Sequence, residues 1–284
     1  MQSQPLRVIA TKQESPAIED EVWRRLRAEA QEGAGRDPSL VSLYSQILEA
    51  PSFEKALIRR LSTLLGDAFL PAEALCSILL NQVHAEPSIG SGMRADIAAV
   101  VERDPAASRL LEPFLFFKGY AAIQVHRFAH CPWTRGKRDI ALFLQSRASE
   151  VFHTDIHPAA MFGKGIFLDH ATGFVAGETV LVEDNVSILH GVTLGGSGTG
   201  KGQRHPKVRT GVLIGAGAQI LGPIEIGAYS KIAAGSLVTH SVPPRSTAVG
   251  VPARIIQGAG AENPAQSMNQ ALTEGTYEAF TYAI

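Results

Sequence analysis

The spacing of apolar positions changes near the middle of the chain. In the first half they recur every three to four residues, the spacing that keeps one face of a helix apolar. Ser15-Pro16 reads as a cap followed by proline in the first helical turn, ahead of Ile18, Val22, Trp23 and Leu26. Asp37-Pro38 repeats the signal before Leu40, Leu43, Tyr44 and Ile47, and Ser52 caps a segment carrying Phe53, Leu57, Leu61 and Leu64. Further helices are expected at roughly 72–83, 92–103, 113–129 and 137–149.

From Ile156 the period becomes six. Ile156, Phe162, Leu168, Phe174, Val180, Val186 and Val192 follow one another at that interval, and the period resumes at Ile214, Ile220, Ile226, Ile232 and Val238, with a last pair at Val249 and Ile255. A helical period of 3.6 does not hold all these positions on one face. A parallel β-helix does so: each hexapeptide is one short strand and a corner, and three make a triangular coil of about 18 residues. The aliphatic residue points inward, small residues such as Ala160, Thr172, Ala218, Ser230 and Ser236 suit the narrow interior, and Gly163, Gly215 and Gly227 serve corners. Glu178, Asp184 and His190 fall in the same small-residue slot, where they point to solvent or line an interface.

The fold class is therefore α+β, with a helical domain at 1–150, a β-helix at 151–258 and a flexible tail at 259–284. Ile214 follows Val192 at an interval of 22 residues, one coil plus four, which places an extruded loop at 195–211. Lys201, Arg204, His205, Lys207 and Arg209 sit on this arm, and no acidic residue occurs between Gly195 and Gly222. A local cationic, glycine-rich arm suits an anionic ligand.

Composition adds limits. The 284 residues are 45% apolar and 19% charged with net charge −1, which argues against disorder and gives no global reason to expect nucleic acid. Seven glycines precede residue 156 and twenty follow it, so glycine marks the same division as the period. No long apolar run and no charged-then-apolar leader is present, so no membrane partner is expected and a cytoplasmic location is, with Cys76 and Cys131 as reduced thiols.

The chemistry must come from histidines and carboxylates, since no Walker loop, dinucleotide fingerprint, G-x-S-x-G elbow or paired C-x-x-C occurs. His170 stands two places after inward Leu168 and directly after Asp169. Asp155 lies 15 residues earlier, close to one coil, where its carboxylate could fix the imidazole tautomer and leave the other nitrogen as a general base. A histidine merely packed in the fold is the plainer alternative. His126 and His130 are four apart on a helix, a spacing able to bind metal, but with no third ligand in pattern packing is favoured and no metal is expected.

The segments DIHP, DHATG and RHPK, together with the hexapeptides and GVPAR, closely resemble bacterial serine O-acetyltransferase from about Asp104 to Arg254. The resemblance implies a left-handed β-helix, a hand opposite to the usual crossover rule. It also implies trimers through the prisms, dimers of trimers through the helices, and acetyl-CoA as co-substrate rather than resident cofactor. By motif, His170 with Asp155 is the catalytic pair, and Asp104, Asp169, Arg204 and His205 bind L-serine. Gly195, Ala216, Lys231 and Arg254 are the implied acetyl-CoA contacts. Ile284 would dock into O-acetylserine sulfhydrylase, although the preceding TYA departs from the family's acidic and glycine residues, and feedback inhibition by cysteine is implied as well. Two other activities fit the fold. One is acetyl transfer to a different hydroxyl, whose enzymes generally lack the helical half and the DIHP and DHATG pair. The other is a zinc hydratase, which needs three converging histidines; His170 and His205 have no third at a matching offset. A non-enzymatic scaffold would leave the His, Asp and Arg cluster without a purpose.

Overall fold

The computed structural model describes residues 16–198, 202–257 and 262–272. Helices α1 (Pro16–Arg36), α2 (Val41–Leu48), α3 (Phe53–Leu65), α4 (Ala72–Ala85), α5 (Ser88–Arg103), α6 (Leu111–Leu115), α7 (Lys118–Thr134) and α8 (Arg138–Phe152) form the first half. The caps act as the sequence suggests: the Ser52 hydroxyl accepts from the Lys55 N–H, and the Asp37 carboxylate from the Ser39 N–H at 3.1 Å. The expected helix at 113–129 is instead two, broken at extended Phe117. That break gives α7 its own start, and Gly119 in its first turn packs on the second half.

Short parallel strands follow. Sheet I holds β1 (Thr154–Ile156), β4 (Phe174–Ala176), β7 (Thr193–Gly195), β10 (Gln219–Leu221) and β13 (Leu237–Val238). Sheet II holds β2 (Met161–Phe162), β5 (Leu181–Val182), β8 (Lys207–Val208) and β11 (Glu225–Ile226). Sheet III holds β3 (Phe167–Leu168), β6 (Ser187–Ile188), β9 (Leu213–Ile214), β12 (Lys231–Ile232) and β14 (Ser246–Gly250), with β15 (Ala253–Gln257) antiparallel at its end. Visiting the three sheets in turn makes the parallel β-helix. Fixing a residue's backbone costs about 1–2 kcal/mol, whereas one buried aliphatic side chain returns about 1.5–3 kcal/mol. A rung of two or three residues is thus stable only when stacked on its neighbours.

The register corrects the expected phase in two places. Thr154 pairs with Phe174 and Phe167 with Ser187, 20 residues apart, whereas Lys207 pairs with Glu225 at 18. Two extra residues enter at the corner between β3 and β4, so the inward column runs Ile156, Phe162, Leu168 and then Ala176, Val182, Ile188, Leu194. Phe174, Val180, Val186 and Val192 are buried too, two places before each of those positions, which is why the sequence period passes over the slip. Thr172, expected inside, is exposed on the enlarged corner, and Glu178 and His190 occupy outer corner positions. The loop is also longer than expected: Thr193 pairs with Gln219 at 26, eight more than a regular coil rather than four, and it leaves β7 at Gly195 to re-enter at Lys207.

One apolar core runs through both halves, from Leu26 to Ala248. Buried polar links join them. The Asp96 carboxylate, fully buried, accepts from Arg127 of α7 and from the Ile166 N–H at 2.9 Å, while Arg127 donates to the Gly163 carbonyl at 2.6 Å. Arg103 donates to the Gly165 carbonyl at 3.0 Å and the Ser187 hydroxyl at 3.1 Å. The Ser187 hydroxyl in turn donates to the carbonyl of Ala265, in the short helix α9 (Pro264–Ser267). Residues 262–272 of the expected flexible tail therefore lie against the fold; Ile284 is outside the described residues.

Candidate functional site

The two-residue insertion builds an unusual corner. His170 and Ala171 both adopt left-handed backbone, φ 56° and 61°, which side-chain-bearing residues rarely do, and Gly173 follows at 74°. The corner is held by backbone bonds from Gly173 N–H to the His153 carbonyl and from Gly191 N–H to the Thr172 carbonyl, both 2.8 Å. Its protrusion leaves the His170 side chain 73% exposed, available to a ligand rather than spent on packing.

A cavity of about 510 Å³ opens beside it, between the end of α5, the start of α7 and β3, lined by Asp104, Phe117, Lys118, Asp169 and His170. Asp104 caps α5 and accepts from the Ala106 N–H at 2.9 Å. Asp169 lies 3.7 Å from His170 Nε2. Burial pushes the Asp169 carboxyl above the usual carboxylate range, opposed by the charge of His170 and reinforced by that of Asp104. The His190 ring, one coil up, stands edge-on to His170 at 5.8 Å. Lys118 donates to the Thr172 hydroxyl. His190, one of the polar residues in the small-residue slot, thus stands at the His170 corner, whereas Lys118 did not stand out in the sequence and reaches the corner only because a helix far away in the chain packs there.

Asp155 is placed elsewhere. Because the first coil has 20 residues, Asp155 pairs in register with Val175, five places beyond His170. Its carboxylate is exposed and accepts from Gln145 Nε2 at 2.6 Å. Within one chain the carboxylate beside His170 is that of Asp169, while Asp155 stands on a separate strand.

Arg204 and His205 gather at a different corner, between sheets I and II. Arg204 donates to Glu178 at 2.6 Å, and this hydrogen bond holds the Glu178 carboxyl below its ordinary range. His205 stacks over Gly177, where an added Cβ would lie 2.0 Å from its Nε2, and its Nδ1 is 2.9 Å from the Thr179 hydroxyl. Burial, followed by the charge of Arg204, lowers the His205 pKa. His157 sits at the foot of this corner against Trp133, at a ring separation of 4.9 Å. Glu178, noted in the sequence only as a polar residue in the small-residue slot, and Thr179, not singled out there, orient the two basic residues.

The remaining expected contacts are spread along the prism. Gly195 ends β7, and Ala216 lies on the same edge as His170, two coils up. Lys231 is buried on β12 and donates to the Ala271 carbonyl at 2.7 Å, so the tail segment already occupies it. Arg254 is exposed on β15. Among the described residues no group of three or more His, Cys, Asp or Glu is placed to hold a metal, and no helix is long and apolar enough to cross a membrane.

The chain is similar to known proteins over most of its length. The serine acetyltransferase N-terminal family matches residues 22–125, and six bacterial transferase hexapeptide repeats match 205–240. The serine acetyltransferase of Salmonella typhimurium is 45% identical over 262 residues, covering 92% of this chain and 96% of that protein. A serine acetyltransferase structure in complex with cysteine is 47% identical with a TM-score of 0.88, covering 90% of this chain and all of that one. The Brucella abortus serine acetyltransferase in complex with coenzyme A is 54% identical with a TM-score of 0.82, covering 84% of this chain and 96% of that one. Overall fold and identity over nearly the whole length agree: the chain belongs to the serine acetyltransferase family.

Proposed function

We propose that the chain transfers the acetyl group of acetyl-CoA to the hydroxyl of L-serine, giving O-acetyl-L-serine and CoA by direct attack. The observation that carries this reading is the convergence of Asp104, Asp169 and His170 on one cavity. Two carboxylates suit the ammonium group of an amino acid, and an exposed imidazole beside them suits its hydroxyl. Serine's hydroxyl is a poor nucleophile at neutral pH, so His170 takes its proton as it attacks the thioester carbon, and the negative charge of Asp169 favours the resulting imidazolium. The 3.7 Å approach of the two side chains is longer than a hydrogen bond and would tighten around substrate.

The serine carboxylate needs a cation, and Arg204 and His205 stand at another corner of their own chain. In a threefold assembly through the prisms, that corner of one copy faces the His170 corner of the next, so the site is completed by a neighbour. Asp155, outward on sheet I, reaches His170 across the same junction. Gly195, on the Arg204 edge of one copy, and Ala216, on the His170 edge of the next, then flank the pantetheine arm of acetyl-CoA as co-substrate, with Arg254 near its far end. Lys231 joins only when the segment at Ala271 moves aside. Trimers paired through the helical halves, cysteine competing for the serine cavity, and Ile284 docking into O-acetylserine sulfhydrylase complete the reading; sulfhydrylase co-purification that survives deletion of Ile284 would remove the last.

Thiol release from acetyl-CoA, measured with L-serine, L-homoserine, amino sugars and water as acceptors, tests the reaction. Release specific to serine is the expected result, and equal release with another acceptor overturns the assignment.

A further inference from the structure

We propose that Lys118 is a positioning residue that sets the geometry of His170 through Thr172. Three observations place it there. The Lys118 ammonium donates to the Thr172 hydroxyl, and that hydroxyl lies 3.5 Å from the His170 carbonyl, so a polar chain runs from α7 to the backbone of the proposed base. The segment it holds contains the two consecutive left-handed side-chain-bearing residues His170 and Ala171, a conformation that persists only where its surroundings over-determine it. Lys118 is itself fixed, because the next residue, Gly119, packs directly on the Leu168 carbonyl, two places before His170. The lysine therefore projects from the point where helix and prism are locked together.

The consequence is mechanical. The His170 side chain is largely exposed and makes no described hydrogen bond of its own, so its aim toward the cavity is set by the corner backbone. Without Lys118, the corner keeps its backbone bonds to His153 and Gly191 but loses its only described side-chain tie to the helical half. Misplacing a reacting group by about 1 Å costs on the order of 100-fold in rate. A loss of aim lowers turnover, whereas loss of a substrate-binding cation raises the substrate KM. The inference rests on the acetyl-transfer reading above, and the two fail in different ways.

The test compares the intact wild-type enzyme with Lys118→Met, Lys118→Arg, Thr172→Val and the Lys118→Met/Thr172→Val double variant, following serine-dependent CoA release. Lys118→Met and Thr172→Val should each lower kcat about 10- to 100-fold, with serine KM changed by less than about threefold. Lys118→Arg should recover part of the loss, and the double variant should be no slower than the slower single, since both act through one bond. Wild-type kcat in Lys118→Met, additive losses in the double variant, or a raised serine KM at unchanged kcat overturns the positioning role. Should Lys118→Met fail to assemble, as judged by size and thermal midpoint, Thr172→Val alone decides: undiminished kcat there also overturns it. A wild-type enzyme without serine-dependent release would instead sink the reaction assignment.

Discussion

Gly119 and Leu168 meet so closely that a Cβ built on the glycine would lie 1.9 Å from the Leu168 carbonyl oxygen. The first turn of α7 thereby rests on the rung leading into the His170 corner, and the obstacle is backbone, which cannot rotate away. Gly119→Ala must push helix and prism apart at the edge of the proposed site. Overpacking of this kind costs typically about 1–3 kcal/mol. A lowered thermal midpoint with reduced turnover is expected; unchanged values for both would show that α7 has room the structure does not give it.

Replacing His170 by alanine removes the proposed base while leaving the corner's backbone bonds in place. Turnover should fall by roughly 10²–10⁴ with sedimentation the same as that of wild type. Near-wild-type turnover would take the proton transfer away from His170.

The two candidate carboxylates are separable. Asp169→Asn should impair the isolated His170 environment and also weaken serine binding, because Asp169 borders both. Its carboxyl is raised by burial, so the folded state holds a proton more tightly than the unfolded chain. The stability this contributes is complete below the ordinary carboxylate range and is lost as pH rises through the raised value. Denaturant unfolding across that window should show the decline in wild type and not in Asp169→Asn. Asp155→Asn should lower turnover, and full activity in that variant would exclude it from the catalytic pair.

Arg204→Met should act mainly on serine KM, because a carboxylate that does not react is held equally in ground and transition states. Rate measurements over serine concentration check this, and an unaltered KM would move the carboxylate contact elsewhere.

His126 gives a pH dependence remote from catalysis. Burial lowers its pKa to about 3, and its Nδ1 has no hydrogen-bond partner. A folded pKa depressed in this way gives stability that is full above the ordinary histidine value of about 6.5 and lost as pH falls. The slope is about 1.4 kcal/mol per pH unit for one proton, so His126→Leu should flatten the loss between about pH 6 and 4. Identical slopes in the two proteins would mean that the ring can be protonated without unfolding.

Much of this protein is set by spacing alone. A β-helix is stabilised by neighbours one coil away, so its interior column is written in the sequence as a period of six, and the column broke where the cationic loop leaves the prism. The helical half was legible for the same reason, as three-to-four-residue spacing with caps at Asp37 and Ser52. The slip of two residues at the His170 corner was hidden because Phe174 and Ala176 both face inward, and an apolar residue at either keeps the pattern going. Tertiary structure decided which carboxylate lies beside His170, that Arg204 and His205 belong to a separate corner, and that Lys118 reaches Thr172, 54 residues away. Those relations depend on coil register and on how closely α7 docks at Gly119, and neither is a property of any local stretch of residues.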